Sequence, residues 1–373
     1  MNSAPETNAD AWRETALTVS LLRPPGAEAR TARLAKALLA CEAGPTESGL
    51  PDAVAEHLAI PPGERAGCIA AARRAAGEFL AAGARRGLGL VAWREPDYPP
   101  LLSHLPDPPL VLWTRGDVRM LAKPAIAVVG SRAATPAALT IARILARDLA
   151  AAGMVIVSGM ARGVDAAAHW GALDAGGTTV AVLGSGADRV YPPEHGALAE
   201  RIAAAGALVS ELGPGTPPRP RHFPLRNRII SGLARAVVVV EASERSGSLI
   251  TARMAAEQGR DVLAVPGNVL SGRSRGCHRL IRDGARIVET AEDVLEEVFG
   301  PSALARPDST RIKSLQLNEL EETMAVGEPY SVDELAAETG KPTAALLAEL
   351  GDLEVAGRIV RAPGGRYIRP GLD

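Results

Sequence analysis

The sequence predicts an α/β protein centred on a doubly wound parallel sheet, with a small helical domain before it and a winged-helix domain after it. Two observations predict the sheet. Short runs rich in valine, isoleucine and alanine alternate with helix-patterned segments, and each run ends in a turn of small polar residues. Such alternation favours parallel strands joined by right-handed crossovers. A third observation predicts the two flanking domains, because short helical segments replace this alternation at both ends of the chain.

The run at residues 125–129 is the strand around which we expect the sheet to be organised. All five residues are apolar, which is typical of a strand covered on both faces. Gly130 lets the backbone turn sharply, and a helix is predicted to begin near Thr135. The same pattern predicts strands at residues 154–157, 179–183, 207–209, 237–240 and 262–265. Their carboxyl ends share one edge, where the N–H groups of the following helices attract phosphate.

The composition indicates a globular protein. The chain has 373 residues and is 47% hydrophobic, so two or three domains with substantial cores are expected. Aromatic residues make up only 3%, so a nucleic-acid site here would depend on charge and backbone groups more than on rows of stacked rings. Cys41, Cys68 and Cys277 are far apart, which is typical of reduced thiols. Without a leader or a spanning segment, we expect a cytoplasmic protein with no membrane partner.

Proline and glycine divide the chain into domains. Residues 1–12 are polar and are predicted to be disordered, and residues 13–85 form a small helical domain of the SAM or helix-hairpin-helix type. The sheet occupies residues 86–300, and residues 301–312 form a linker. In residues 313–373, helical segments at 317–326, 331–339 and 342–356 precede a hairpin that turns at Gly364 and Gly365, which predicts a winged helix.

The predicted winged helix carries a charge that is poorly suited to duplex DNA. Its recognition helix contains Glu349, Asp352 and Glu354, and only Lys341 stands at its start. Phosphate contacts require basic side chains, so a protein contact is at least as good an interpretation for this domain.

The turn Gly130-Ser131-Arg132 is predicted to bind an anion other than a dinucleotide. It lacks the Gly-x-Gly-x-x-Gly spacing, and the second strand ends in Ser158 where a ribose-binding acid would stand. We therefore predict no cofactor. Arg132 at a helix start fits an anion hook, and the alternative is a surface arginine paired with a neighbouring acid.

The loop after the second strand carries a further candidate. Gly159 and Gly163 permit a tight turn with Arg162 at its tip, where it can contact phosphate. Asp165 can cap the next helix, and His169 follows one turn later on the same face. Because no further ligands accompany them, a structural Asp-His pair is favoured over a metal site, and we predict no metal.

Residues 219–228 hold the strongest local charge, with four arginines and one histidine. A solvated basic loop is the usual interpretation of such a run. Its position after a strand, together with Phe223, which can stack a base, favours contact with a polyphosphate or a single strand. Arg226 and Arg228 point to different sides of the predicted helix. One is then available to nucleic acid while the other pairs with an acid such as Glu241.

The segment Ser246-Gly247-Ser248 opens another predicted helix. Capping alone explains the serines, and the same geometry can hold a phosphate, so both interpretations stay open. No nucleophile elbow and no Walker loop occurs in the sequence. We therefore predict no catalytic residues and favour a binding protein over an enzyme.

In their order along the chain, these motifs closely resemble those of the DNA-processing protein A family, DprA, also called Smf. The resemblance covers residues 99–288 and rests on Val128-Val129-Gly130-Ser131-Arg132, Ser158-Gly159 with Asp165 and His169, Tyr191-Pro192, Ser210-Glu211, Phe223-Pro224 with Arg226-Asn227-Arg228, Ser246 to Ala252, and Val265-Pro266-Gly267. It implies an extended Rossmann-like domain that dimerises. It also implies a single-stranded DNA binder that protects incoming DNA in natural transformation and loads the recombinase RecA.

The resemblance also implies roles for individual residues. Arg132 would grip phosphate, Arg162 would extend the basic pocket, and Arg221, Phe223, Arg226 and Asn227 would lie along the path of the strand. The remaining expected DNA contacts are Gly130, Ser131, Gly159, Ser246, Gly247 and Ser248. The homodimer and RecA surface is expected around Met254, Cys277, His278 and Leu280.

Two other functions stay open at this point. Phosphoribohydrolases of the lysine-decarboxylase-like group share this kind of sheet edge, but they carry Gly-Gly-x-Gly-Thr-x-x-Glu where this chain has Ser246-Gly247-Ser248-Leu249-Ile250-Thr251 without a glutamate. A duplex-binding regulator would act through the winged helix. Charge favours the central domain as the DNA site, because Lys and Arg exceed Asp and Glu by 3 in residues 120–300 and fall short by 4 in residues 310–373.

Overall fold

The structure is a computed structural model that describes residues 6–22, 50–300, 320, 323–355, 359–362 and 365–369. Outside these ranges lie Cys41, the linker predicted at residues 301–312, most of the helix expected at residues 317–326, and Gly364 of the predicted hairpin turn. Among the described residues, no helix is long and apolar enough to cross a membrane. Cys68 and Cys277 are free thiols.

Three helices precede the sheet: α1 (Glu6–Leu21), α2 (Leu50–His57) and α3 (Pro62–Arg85). The prediction of disorder through residue 12 is wrong for residues 6–12, because α1 already begins at Glu6. The reason is Trp12, which is buried and whose indole N–H donates to the backbone oxygen of Trp93 at 2.6 Å. This contact joins α1 to the sheet 81 residues further along the chain.

A nine-stranded mixed sheet forms the centre of the protein. In chain order its strands are β1 (Gly89–Ala92), β2 (Val111–Gly116), β3 (Ala125–Gly130), β4 (Val155–Ser158), β5 (Thr179–Val182), β6 (Ala207–Ser210), β7 (Ala236–Val240), β8 (Asp261–Ala264) and β9 (Arg286–Ile287). Their spatial order is β1-β2-β6-β5-β4-β3-β7-β8-β9. Strands β3 to β9 run parallel, while β2 pairs antiparallel with both β1 and β6. The α/β prediction is confirmed, although the antiparallel pair β1 and β2 was not foreseen.

The direction of winding reverses between β3 and β7. Ala125 of β3 is in register with Val155 of β4 on one side, and Gly130 is in register with Val240 of β7 on the other. From this point the chain builds one half of the sheet through β4, β5 and β6 and the other half through β8 and β9. The connections after β3 and β7 therefore leave in opposite directions, which opens a crevice at their carboxyl ends.

Helices cover both faces of the sheet. They are α4 (Pro100–Ser103), α5 (Pro136–Ala151), α6 (Val164–Asp174), α7 (Gly196–Ala205), α8 (His222–Leu233), α9 (Ser248–Glu257), α10 (Arg275–Arg282) and α11 (Ala291–Phe299), with short 3-10 helices at Val118–Ala122 and Pro193–His195. Ile126 and Val128 pack among residues of α5 and α6, whereas Ala127 and Val129 pack among residues of α8 and α9. Burying a valine or isoleucine fully is worth roughly 1.5–3 kcal/mol, so this strand anchors both layers.

The C-terminal region forms a separate apolar cluster. It contains α12 (Val332–Thr339), α13 (Thr343–Val355) and a three-stranded sheet of β10 (Pro329–Tyr330), β11 (Val360–Ala362) and β12 (Arg366–Ile368). Leu335, Leu346, Leu350 and Tyr367 are buried together. Ser331 and Glu334 form a reciprocal capping box at the start of α12. One strand before these two helices and two after them form a small antiparallel sheet, which agrees with the predicted winged helix.

Candidate nucleic-acid interface

A cavity of about 610 Å³ lies in the crevice between the carboxyl ends of β3 and β7. We call it the switch-point cavity. Its wall is formed by the turn after β3, by the segment Ser243 to Thr251 at the start of α9, and by the first two turns of α8. It therefore brings together three segments that the sequence singled out separately: Gly130-Ser131-Arg132, residues 219–228 and Ser246-Gly247-Ser248.

The turn after β3 is held rigidly by backbone contacts. A Cβ atom at Gly130 would lie 1.9 Å from the backbone oxygen of Val240, so no larger residue fits. The Ser131 N–H donates to the oxygen of Glu241 at 2.8 Å, and the Ser131 oxygen accepts from Val164 at 3.2 Å. Arg132 is thereby projected from a fixed backbone.

Arg132 lies exposed at the mouth of the switch-point cavity. Its guanidinium carbon is 5.5 Å from the ring centroid of Phe223, and no carboxylate among the described residues pairs with it. The alternative of a surface arginine paired with a neighbouring acid is thus not what the structure shows. A cation beside an aromatic face suits a nucleotide, which presents a phosphate and a base together.

Phe223 belongs to an aromatic pair that the sequence analysis did not identify. Its ring centroid is 5.6 Å from that of Tyr191, with the planes at 46°. A Cβ atom at Gly184 would lie 2.9 Å from the Phe223 ring, so glycine allows the ring to pack closely over the backbone. Tyr191 is 40% exposed, which leaves the pair open to a ligand. The sequence held one signal for Tyr191: it is an aromatic residue on a loop that follows a predicted strand and therefore lies at the same edge of the sheet.

Arg226 forms part of the floor of the cavity. It is buried, and its guanidinium lies directly over Gly159, where an added Cβ atom would be 1.7 Å from Nη1. Nη1 donates to the backbone oxygen of Val182 at 2.7 Å. Burial lowers the pKa of Arg226 to about 10, so the side chain stays charged at neutral pH. Its positive charge is held in place within the floor, unlike that of the exposed Arg132.

Asp165 lies beside Arg226 but does not form the predicted pair with His169. Its Oδ2 accepts from the backbone N–H groups of Gly159 at 3.1 Å and Ala161 at 3.3 Å. His169 instead contacts Thr179, with 2.7 Å between Nδ1 and Oγ1. The Asp-His prediction is therefore wrong, because each side chain finds a nearer partner outside α6. The described residues also contain no cluster of three or more metal-binding side chains.

Arg228 stabilises the fold, although through acids other than the one suggested. Its Nη2 donates to Glu211 at 2.7 Å, and its Nε lies 3.3 Å from Asp107. Glu241, the expected partner, instead accepts from the N–H and hydroxyl of Thr135, at 2.6 Å for the hydroxyl. Burial lowers the pKa of Arg228 while Asp107 opposes the change.

The start of α9 completes the wall of the cavity. Gly247 occupies the N-cap position and has no side chain to cap the helix, but the Ser248 N–H donates to the Ser246 hydroxyl at 3.4 Å. The hydroxyls of Ser246 and Ser248 lie 2.7 Å apart. Capping and phosphate binding therefore both stay open as roles for these serines, and Ser246 and Ser248 line the cavity beside the positive end of α9.

Three of the predicted contacts lie outside the cavity wall: Gly159, which is buried beneath the Arg226 guanidinium, Arg162 and Arg221. Arg162 is exposed and pairs with Glu194 across 2.5 Å, which raises the pKa of the guanidinium and lowers that of the carboxylate. Arg221 is exposed at the residue before α8, close to the rim formed by Pro220 and Phe223. Each follows a residue of the cavity lining in the chain, Arg162 after Ala161 and Arg221 after Pro220.

The residues expected at the dimer and RecA surface differ in exposure. Cys277 is fully buried and its thiol lies 3.6 Å from the oxygen of Val239, so it packs inside the chain and cannot itself meet a partner. Burial raises the pKa of this thiol to about 11. Met254, His278 and Leu280 are half-buried. The ring nitrogen Nε2 of His278 lies 3.0 Å from the oxygen of Gly267.

The structure thus defines an α/β protein with a Rossmann-like sheet and a cavity at its switch point, and its first turn lacks the dinucleotide fingerprint. A family model described as DNA recombination-mediator protein A matches residues 89–299, and one described as the DprA winged helix domain matches residues 305–365. The chain belongs to the DNA recombination-mediator protein A family. The resemblance seen in the sequence is thereby confirmed, as is the extended Rossmann-like sheet with a winged helix.

Named relatives agree with this assignment. The DNA processing protein DprA of Streptococcus pneumoniae is 48% identical over 200 residues, which covers 54% of this chain and 71% of the relative. Protein Smf of Escherichia coli is 41% identical over 283 residues, which covers 73% of this chain and 75% of the relative.

Two solved structures are also similar. The X-ray structure of S. pneumoniae DprA matches with a TM-score of 0.65 and 35% identity, covering 77% of this chain and 98% of that one. The Helicobacter pylori DNA processing protein A, described with a single-stranded DNA binding mode, matches with a TM-score of 0.51 and 30% identity. That match covers 56% of this chain and 93% of the other.

Proposed function

We propose that this protein is a non-enzymatic recombination mediator that binds single-stranded DNA in the switch-point cavity. The observation that carries the proposal is the juxtaposition of Arg132, free of any described carboxylate, with the Phe223 and Tyr191 rings at the mouth of the cavity. A cation and exposed rings are the two elements of sequence-tolerant single-strand binding. The single-stranded DNA binding mode described for the H. pylori relative supports this choice of ligand.

The individual contacts form part of the proposal. Arg132 neutralises a phosphate at the mouth, Phe223 stacks a base, and the N–H and hydroxyl groups of Ser131, Ser246 and Ser248 hold the backbone at the helix start. Arg221 and Arg162 lie outside the wall and contact the strand where it leaves. Arg226 supplies a buried positive charge over Gly159 and positions the floor.

Partners and domain roles extend the same proposal. In the cytoplasm, the protein acts as a homodimer that protects incoming DNA during natural transformation and loads RecA onto it, with Met254, His278 and Leu280 on the contact surface. The helical domain ends near residue 85, residues 301–312 form a linker, and the acidic winged helix contacts protein. A loading assay measures RecA assembly on single-stranded DNA with and without the protein. No acceleration of assembly would contradict the role in loading.

The DNA preference is tested by fluorescence anisotropy with matched single-stranded and duplex oligonucleotides over a salt series. The proposal expects a clear single-strand preference. With about four phosphates neutralised at ~0.7 per contact, the slope of log K against log salt is about −3. Equal or tighter binding of the duplex would contradict the proposal and favour a regulator acting through the winged helix.

The phosphoribohydrolase alternative has its own test. Such an enzyme would release free base from a nucleoside monophosphate, which chromatography detects directly. We expect no release, because the turn at Ser246 to Thr251 is followed by Ala252 and Arg253 and supplies no glutamate. Sustained release of base would replace the binding proposal with a catalytic one.

A further inference from the structure

The floor of the switch-point cavity carries a carboxylate, although its mouth is cationic. Asp165 lines the cavity and is 6% exposed. Its Oδ2 is occupied by the N–H groups of Gly159 and Ala161, but no described residue donates a hydrogen bond to Oδ1. Burial raises the pKa of Asp165, and the nearby charge of Arg226, the two N–H donors and Arg132 oppose that rise.

The second polar group that is open to this cavity is the side-chain amide of Asn227. It is 9% exposed, it lines the cavity, and its side-chain amide has no hydrogen-bond partner among the described residues. An amide offers both a donor and an acceptor. Although the residue is mostly buried, its amide atoms are reached from the cavity, so both the donor and the acceptor are available to a ligand.

These two groups select the chemistry of what enters the cavity. A phosphodiester has only acceptor oxygens, so it cannot pair with the free Oδ1 of Asp165, even though the charged Arg226 lies beside that carboxylate. The floor instead suits a group with an N–H donor next to a carbonyl oxygen. On the pairing edge of a nucleobase, thymine offers N3–H beside O4 and guanine offers N1–H beside O6. At the same ring position cytosine and adenine present a lone pair, which a carboxylate repels.

We propose that the floor of the switch-point cavity is a base-recognition subsite for thymine and guanine. Asp165 accepts the ring N–H through Oδ1, and the Asn227 amide donates to the adjacent carbonyl. Phe223 and Tyr191 hold the neighbouring base at the mouth, while Arg132 holds the phosphate between the two bases. The inference rests on the proposed function, since it requires a single strand in the cavity.

The subsite gives the protein a base preference that the mouth alone does not supply. Stacking on a ring and contact with phosphate tolerate every base. A pair of hydrogen bonds to a base edge typically discriminates against the wrong base by roughly tenfold or more. We therefore expect a short oligothymidylate to bind roughly tenfold more tightly than an oligocytidylate of equal length.

The test is a competition assay on the full-length protein with three unlabelled strands: oligothymidylate, oligocytidylate, and oligothymidylate in which 3-methylthymine replaces thymine. Methylation replaces the hydrogen of the ring N–H with a methyl group and leaves both carbonyls in place, so the methylated strand should compete as weakly as oligocytidylate. This arm needs no mutation and cannot fail through misfolding. If all three strands compete equally while binding persists, the inference is wrong and the proposed function stands. If none of them binds, both are wrong.

A variant pair assigns the preference to Asp165. Asp165→Asn keeps an oxygen for the Gly159 and Ala161 N–H groups, but its amide also donates, so the ratio between oligothymidylate and oligocytidylate should fall to about twofold or less. Glu244→Gln removes an equal charge from an exposed residue of the loop before α9 and should keep the full ratio. A full ratio in Asp165→Asn would overturn the assignment.

Discussion

Arg226 and Arg228 lie two residues apart in one basic run, and their surroundings give them different roles. Arg226 lies over Gly159 in the floor of the cavity, while Arg228 is enclosed by Glu211 and Asp107 on another side of α8. Arg226 is buried and the Arg228 side chain is only 12% exposed, yet only the second has two carboxylate partners. The environment of each residue, more than its identity, decides whether it serves the site or the fold.

Replacing Arg228 is expected to destabilise the protein. Arg228→Ala leaves Glu211 and Asp107 without their cation and should cost about 3 kcal/mol, at the low end for breaking a buried pair because Asp107 is partly exposed. Chemical denaturation measures the loss. Arg221→Ala is the matched control, since Arg221 is exposed and should change stability by less than about 0.5 kcal/mol. Equal stability of the two variants would contradict this assignment.

His169 makes the stability of the fold depend on pH. Thr179 donates its hydroxyl to the oxygen of Ile156, so it accepts from His169 Nδ1–H, and Nε2 is left buried and unprotonated. Burial lowers the pKa of His169 from 6.5 to about 3. Between these values the unfolded chain binds a proton that the folded chain does not. Stability is therefore complete above pH ~6.5 and falls as the pH drops, by at most about 1.4 kcal/mol per unit.

Denaturation of matched variants at pH 7 and pH 5.5 tests this dependence. His169→Gln should lose about 1 kcal/mol of the pH dependence seen in the wild type. His57→Gln, at an exposed position, should retain it. The argument fails if both variants follow the wild-type pH dependence.

At the scale of elements, α5 links the fold to the site through its N-cap. The Thr135 hydroxyl accepts from the Ala138 N–H at 3.2 Å and donates to Glu241 at 2.6 Å. Because Glu241 follows β7 and its backbone oxygen accepts from Ser131, this cap ties both sides of the switch-point cavity together. The cap therefore fixes the position of Arg132 as well as the start of the helix.

A pair of cap variants separates these two effects. Thr135→Ala and Thr290→Ala each remove an N-cap hydroxyl, and each should cost about 1 kcal/mol of stability. Only Thr135→Ala should also weaken DNA binding, because the capping box of Thr290 lies at α11, away from the cavity. Anisotropy and thermal melting report the two effects separately. Equal DNA affinity in both variants would mean that the cap does not position Arg132.

The sequence predicts strands β3 and β7 well because the signal for each strand lies within the strand itself. Strands β3 and β7 are continuous apolar runs that end at Gly130 and Val240, and their bounds agree with the expected ones within about one residue. The contacts that were missed are distant in sequence. Arg228 meets Glu211 and Asp107, and His169 meets Thr179, through packing of separate elements. Such partners depend on the order of strands in the sheet, which local patterns do not contain.

The candidate site was predictable to a similar extent. The three turns that line the switch-point cavity were identified from glycine, serine and arginine patterns. Tyr191 was missed as a site residue because its loop carries no charge signal, and Asp165 was given a structural role because its spacing from His169 suggested one. The winding of the sheet determines which turns meet at one cavity.

At the scale of the whole molecule, charge divides the chain between a basic centre and an acidic end. The Lys341 ammonium is 3.0 Å from the Glu349 carboxylate, so the one lysine at the start of the recognition helix is already paired. We therefore predict that deletion of residues 310–373 leaves single-stranded DNA binding within about twofold of the wild type, since few phosphate contacts are removed. Anisotropy of the truncated chain measures this. A large loss of affinity would assign the DNA contact to the C-terminal region.

The most direct test of the central claim compares Arg132→Ala with Arg74→Ala in the binding of single-stranded DNA across a salt series. Both variants remove one exposed arginine, but Arg74 lies on α3, outside the switch-point cavity. If Arg132 neutralises a phosphate, its replacement weakens binding and makes the salt slope shallower by about 0.7, whereas Arg74→Ala follows the wild type. Equal affinity and equal slope for the two variants would contradict the assignment of the DNA site to the switch-point cavity.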